Sequence, residues 1–416
     1  MRILHTSDWH LGQHFMGKTR EDEHRLFINW LLKTIEQETV DAVVIAGDIF
    51  DTGVPPSYAR KLYNQFIVGL QSAGCQQLVV IGGNHDSVAT LHESRSLLEY
   101  LNTTVVGAAS DNPESQVVVL NNRKGKPGAV LCAVPFIRPR DVVTSQSGES
   151  GDDKQKALLS AMTEHYQAIY THARNKAQEL GHWHALPVIA TGHLTTVGGK
   201  VSESVREIYI GTLSAFPVSA FPPADYIALG HLHRGQLVAG NNHIRYSGSP
   251  IPLSFDEAGS SKQVLLADFD KGRLQEVTPV DAPLFRPLAS IKSSLDDLGE
   301  KLEQFLGEQS DCSLTPWVEI VVEGDDYLSD LQSRIQDVAD TLALEVLRVR
   351  RKRQASATGL AVEERETLAE LKVNDVFIRR LAGEEFDDIR NEKLVSAFEK
   401  LVAEIEEEQV AEGVVQ

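Results

Sequence analysis

The stretch Ala42-Val43-Val44-Ile45-Ala46-Gly47-Asp48-Ile49-Phe50-Asp51 opens with five apolar residues and breaks at a glycine, with two carboxylates beyond it. A short, β-branched run bounded by a turn residue reads as a strand buried on both faces. Polar groups just past such a strand lie where open α/β sheets hold their ligands. The pattern recurs on either side. Arg2–Thr6 is a short strand leading into Asp8-Trp9-His10, and Leu78-Val79-Val80-Ile81 ends in Gly82-Gly83-Asn84-His85-Asp86. Helical patterns over 23–38 and 56–71 separate these strands. Strands alternating with helices predict an α/β sandwich.

Further along, strands are expected at 117–120, 129–133, 187–190, 226–229, 245–247 and 264–268, with a helix at 156–180 after a solvated loop at 145–153. A first domain therefore spans 1–275. A second, small α/β module occupies 282–353: strand 287–291, helix 295–306, strand 317–322, helix 327–342 and strand 345–349. Small side chains make 354–362 a linker. From 363 to 409, Leu368, Leu371, Val376, Ile378, Leu381, Leu394, Phe398, Leu401 and Ile405 recur at helical spacing. A helical pair of that size is too small to bury its own apolar stripes.

Composition sets the outer bounds. A chain of 416 residues suits two or three domains, and 42% hydrophobic with 24% charged residues excludes wholesale disorder. No apolar run is long enough to span a membrane, and Met1–Asp8 lacks the apolar core of a signal peptide, so a cytoplasmic protein is expected. Cys75, Cys132 and Cys312 are too few and too scattered for a disulfide framework or a thiolate zinc site. The net charge is −19, but 16 acidic against 7 basic residues from Leu360 onward place −9 of it in the tail. An anionic substrate would need local positive charge, such as metal ions.

Five short constellations carry the chemistry: Asp8-x-His10, Gly47-Asp48-x-x-Asp51, Gly83-Asn84-His85-Asp86, Gly192-His193 and Gly230-His231-x-His233. Any one alone reads as a turn or a capped helix. Five together, each just beyond a strand, are the raw material of a metal site. Carboxylates, imidazoles and an amide oxygen suit two hard or borderline divalent ions. Asp48 has two oxygens and can bridge ions ~3.5–4 Å apart. Strand alternation is expected to aim both members of each pair the same way, with Gly47, Gly83, Gly192 and Gly230 turning the backbone. Among other histidines, His5 and His92 suit core or helix surfaces, His182, His184 and His243 suit polar turns, and His14 lies near the Asp-x-His loop. Trp9 reads as packing.

The motifs, in this order, resemble the calcineurin-like binuclear metallophosphoesterases and, within that superfamily, the Mre-type DNA nucleases. The stretches that carry the likeness are His5-Thr6-Ser7-Asp8-Trp9-His10-Leu11-Gly12, Ala46-Gly47-Asp48-Ile49-Phe50-Asp51, Gly83-Asn84-His85-Asp86, Ala190-Thr191-Gly192-His193-Leu194, Ala228-Leu229-Gly230-His231-Leu232-His233 and Tyr246-Ser247-Gly248-Ser249-Pro250. The resemblance implies a metallophosphoesterase β-sandwich flanked by helices, with a small α/β cap and a C-terminal helical tail. It assigns Asp8, His10, Asp48 and His233 to one metal, and Asp48, Asn84, His193 and His231 to the other, with manganese the expected ion. His85 then faces the phosphate as general acid or transition-state clamp. Mre-type relatives commonly have a second histidine at the position of Asp51. The aspartate here, as in the phosphatases, implies an Asp51–His85 dyad whose carboxylate orients and charges the imidazole.

The implied activity is double-strand exonuclease and single-strand or hairpin endonuclease cleavage of DNA by a two-metal-activated water, in DNA repair, recombination and replication. No Gly-x-x-x-x-Gly-Lys-Ser/Thr motif occurs, so ATP chemistry must come from a partner. The resemblance names an SbcC-type ATPase, docked on the C-terminal helices. It also implies a homodimer through helices 56–71 and 94–101, nucleoid association on DNA, and a DNA-facing cap. The basic run Arg348, Arg350, Arg351, Lys352 and Arg353 then reads as a DNA-backbone contact, against the plainer reading of a solvated strand end. Two rivals stand beside this: a small-molecule or phosphoprotein phosphoesterase of the same superfamily, and a non-catalytic scaffold for an ATPase. The first has little need of a cap and tail, and the second would be expected to lose ligands.

Overall fold

A computed structural model describes residues 1–351 apart from 76, 144–149, 182–184, 198, 200–201, 203–204, 206–214, 310–313 and 324–330. Two six-stranded sheets form its centre. The first runs Arg273–Asp281, Gln263–Asp270, Arg2–Thr6, Ala42–Ala46, Leu78–Ile81, Thr103–Val106. Its strands from Arg2–Thr6 to Thr103–Val106 are parallel neighbours. The second runs Gln236–Val238, Asn241–Tyr246, Tyr226–Gly230, Val188–His193, Pro127–Cys132, Val117–Asn121.

Alternation along the strands divides the core. Val43 and Ile45 point to the layer of helices Glu21–Gln37 and Ser57–Ser72, whereas Ala42, Val44 and Ala46 point into the space between the sheets. Alanines are frequent there: Ala46, Ala129, Ala133, Ala228 and Ala267 keep side chains short where the sheets face each other. The long helix Gly151–Leu180 covers the other sheet through Met162, Tyr166 and Ile169. His5 crosses the sandwich. Its Nε2 donates to the Leu229 carbonyl at 3.2 Å, and its Nδ1 accepts from Tyr226 Oη at 2.9 Å.

A three-stranded parallel sheet, Leu288–Ser293, Trp317–Val322 and Glu345–Arg351, forms the small α/β module with helices Leu298–Gly307 and Leu331–Ala339. Phe15, Phe255, Leu288 and Trp317 join it to the sandwich. The Phe15 and Trp317 rings stack at 5.8 Å and 2°, and the Arg286 guanidinium lies 4.0 Å from the Trp317 ring centre. Met1–Lys352 is one compact unit.

Several boundaries differ from the sequence expectation. A first domain ending at 275 would cut the edge strand Arg273–Asp281, which pairs along Gln263–Asp270. That strand is mostly exposed, so its apolar signal is sparse. Thr103–Val106, Gln236–Val238 and the hairpin His14–Phe15/Lys18–Thr19 lie beyond the expected strands, being short or polar. His243 lies in the strand Asn241–Tyr246 rather than a turn. The linker 354–362, the segment 363–409 and His182 and His184 lie outside the described residues. No helix among the described residues is long and apolar enough to cross a membrane.

Candidate metal centre

The loops after Arg2–Thr6, Ala42–Ala46, Leu78–Ile81, Val188–His193 and Tyr226–Gly230 converge. Two run side by side, with Asp8 N–H donating to the Gly47 carbonyl at 3.0 Å and His10 N–H to the Asp48 carbonyl at 3.1 Å. Asp8, His10, Asp48 and His231 do not continue the strand alternation. Their φ values of 56°, 45°, 52° and 97° are left-handed, a conformation that costs non-glycine residues on the order of 1 kcal/mol or more each. Strain held at four candidate ligands marks a place where surrounding structure over-determines the backbone.

The glycines serve mainly space rather than turning. Of the four expected to turn the chain, Gly47 has φ +91° while Gly83, Gly192 and Gly230 are not left-handed. A Cβ on Gly83 would overlap Asp48 Oδ1, one on Gly230 the Ala46 carbonyl, and one on Gly47 the His193 ring.

Three overlapping groups have ligand atoms within 4.8 Å of one another: Asp8, His10 and His233; Asp8, Asp48 and His193; and His10, Asp51 and His85. Asn84 Oδ1 joins the others, 2.9 Å from His193 Nε2 and 3.2 Å from His231 Nδ1. All nine expected site residues thus come together. Asp8, His10, Asp48, His193, His231 and His233 are buried. His10 Nε2 and His231 Nε2 are buried with no hydrogen-bond partner, and lone-pair donors of that kind beside carboxylates fit divalent cations.

Charge coupling runs through the same atoms. Burial pushes the Asp48 carboxyl up, but His193, His10 and His85 outweigh it and hold it well below the usual range. Burial lowers His193, and Asp48 at 3.3 Å more than compensates, raising it to about 9. Burial and the neighbouring His193 hold His231 well below the usual imidazole range.

Within the Asp51–His85 pair, a main-chain contact is also present. His85 Nδ1 donates to the main-chain carbonyl of Asp51 at 2.7 Å, while the Asp51 carboxylate accepts from His10 Nδ1 at 3.1 Å. A backbone acceptor fixes the His85 tautomer, and the Asp51 carboxylate, within 4.8 Å of both rings, also orients a candidate metal ligand. The His10 and His85 rings meet edge to face at 4.7 Å.

Sequence reasoning passed over the residues that brace the ligands. The buried Asp86 carboxylate accepts from the N–H groups of Gly83, Ile49 and Phe50 at 2.9, 3.2 and 3.0 Å. It ties the Asp48 loop to the Asn84-His85 loop, and only its place in Gly-Asn-His-Asp hinted at this. Asp8 accepts from Ser7 Oγ and from the His231 N–H. Glu257 accepts from His233 Nδ1 at 3.2 Å, with no local sequence signal. Trp9 is fully buried against Phe27 and Phe66.

In the basic run, Arg348 pairs with Glu319 and lies over the Phe255 ring, while Arg350 is 3.8 Å from Glu319. Arg348 is thus already committed to an internal ion pair. Arg351 ends the strand exposed, and Lys352 and Arg353 lie outside the described residues.

Residues 1–235 match the calcineurin-like phosphoesterase family, and residues 284–385 match a family described as the type 5 capsule protein repressor C-terminal domain. The chain is 53% identical to the SbcD component of the SbcCD nuclease of Escherichia coli (strain K12) over 400 residues, 96% of this chain and 97% of that one. It is 35% identical to the SbcD component from Rhodobacter capsulatus, covering 72% of this chain and 76% of that one. The SbcD component from Bacillus subtilis is 29% identical over 98% and 99% of the two chains.

Proposed function

Because the chain belongs to the calcineurin-like phosphoesterases, and among them to the SbcD components of SbcCD nucleases, we propose that it cleaves DNA phosphodiesters at the Asp/His centre, in complex with an SbcC-type ATPase. The observation that carries this reading is the buried convergence of Asp8, His10, Asp48, His193 and His233 beside His85. In it, Asp8, His10, Asp48 and His233 hold one divalent ion, and Asp48, Asn84, His193 and His231 hold the other. Two such ions, manganese by our reading of the oxygen and imidazole donors, would neutralise the phosphoryl oxygens and lower the pKa of a bound water.

The chain's own groups do the rest. Asp48 sits centrally, its Oδ1 accepting from the His85 N–H at 2.9 Å. That contact ties the His85 backbone to a carboxylate that would hold the ions. The Asp51 carbonyl holds the proton on His85 Nδ1, which leaves Nε2 as the nitrogen that meets the leaving oxygen, as acid or as a hydrogen-bond clamp. His10, aimed by the Asp51 carboxylate, presents Nε2 to its ion.

The same proposal assigns the surfaces. The module at 282–353 caps the DNA cleft, with Arg348, Arg350, Arg351, Lys352 and Arg353 meeting the phosphate backbone. The segment 363–409 takes the ATPase. A homodimer forms around the helix Ser57–Ser72, where Val54, Val68, Leu97 and Tyr100 are exposed. The location is cytoplasmic, on the nucleoid when bound to DNA.

The test is manganese-dependent cleavage of duplex and hairpin DNA, with and without the ATPase partner and ATP, for wild type, H85Q and D48A. Cutting that requires manganese, is lost in both variants and widens with the partner is expected. Cutting by D48A at the wild-type rate would refute the assignment.

A further inference from the structure

Beside His233 lies a buried ion pair that the cleavage chemistry does not use. Glu257 is wholly buried, and Lys262 nearly so. Glu257 Oε1 accepts from His233 Nδ1 at 3.2 Å and from Ser202 Oγ at 2.9 Å. Its Oε2 accepts from the Leu253 N–H at 3.0 Å and from Lys262 Nζ at 2.5 Å. Lys262 Nζ also donates to Ser249 Oγ at 2.9 Å and to the His233 carbonyl at 3.1 Å, using all three of its protons.

We infer that Glu257 is the positioning residue of His233, and that Lys262 is the counter-charge that keeps it in place. The inference rests on the two-metal reading. A carboxylate flanked by an ammonium is an acceptor only, so His233 Nδ1 must carry the proton and Nε2 the lone pair. His233 then cannot choose the other tautomer, and its ring basicity rises toward the ion. Lys262 grips both ends of this arrangement, the Glu257 carboxylate and the His233 main chain, so the ring is held at its base and at its edge. The turn Phe255–Glu257 is itself anchored, because Phe255 packs with Phe15, Leu288 and Trp317 at the joint with the small α/β module. A bare ion pair of this depth adds little stability relative to apolar packing, which leaves orientation as what it contributes.

The experiment is calorimetric titration of chelator-stripped full-length protein with manganese, for wild type, E257Q and the double variant E257Q/K262M. The double variant leaves no buried charge unpaired, so it is the one expected to melt as wild type does. Wild type should bind two ions. Both variants should bind one ion as wild type does and the other about 10–100-fold more weakly. Turnover of bis(p-nitrophenyl) phosphate should recover as manganese is raised past the weakened site, a rescue that a purely structural role would not give. Unchanged affinity at both sites, equal weakening of both, or a double variant that does not fold would each overturn the positioning role. Wild type binding fewer than two ions would instead count against the two-metal reading itself.

Discussion

At the centre of the site, three glycines keep open the space that the ligands fill, and Gly83 does so against Asp48 itself. The substitution G83A should therefore displace the Asp48 carboxylate and abolish tight manganese binding. DNA cleavage should fall at least ~100-fold, as expected when reacting groups shift by about an ångström. Calorimetry and a cleavage assay read both effects. Asp51 makes a finer case. Because its carboxylate accepts from His10 Nδ1, the change D51N should weaken manganese at the His10 site by roughly 10-fold, as calorimetry will show. The nine candidate residues were legible because ligand chemistry concentrates in short motifs at strand ends. That the Asp51 main-chain carbonyl meets the His85 ring was not, since that depends on a turn rather than on residue identity. Glu257 was invisible for another reason: it reaches His233 across 24 residues with nothing nearby in sequence to announce it.

Among the elements, the strand Arg2–Thr6 carries a pH switch in the fold's stability. His5 lies between the sheets, and burial pushes its imidazole down to about 3 despite the Leu229 carbonyl. The unfolded chain, with His5 near 6.5, binds a proton that the folded chain refuses between those values. Stability therefore falls as pH drops from about 6.5 toward 3, by on the order of 4 kcal/mol from this residue. The variant H5Q, which keeps polar atoms but does not titrate, should gain about 3 kcal/mol on wild type between pH 7 and pH 4. Urea unfolding at the two pH values measures the difference. The strand Ala42–Ala46 was readable because it is apolar throughout. Arg273–Asp281 was not read as a strand, and the domain boundary at 275 falls inside it, because it is mostly exposed and charged residues break its pattern. Thr103–Val106 escapes notice for its length, four residues set by pairing with Leu78–Ile81 rather than by any signal of its own.

For the molecule as a whole, the electrostatics pose the question that the metal centre answers. A chain of net charge −19, with −9 of it from Leu360 onward, needs local positive charge to hold a polyanion. In the small α/β module, Arg348 is already neutralised by Glu319. Divalent ions at the Asp/His centre would supply positive charge where the ligand loops meet. In the function proposed above, catalysis depends on two ions held by these side chains. The most direct measurement of that dependence is a titration of stripped protein with manganese, followed by electron paramagnetic resonance and by DNA cleavage in the same samples. Two ions per chain, a spin-coupled signal and cutting that rises with the second equivalent are predicted. A single bound ion, or cutting that persists in excess chelator, would contradict the account.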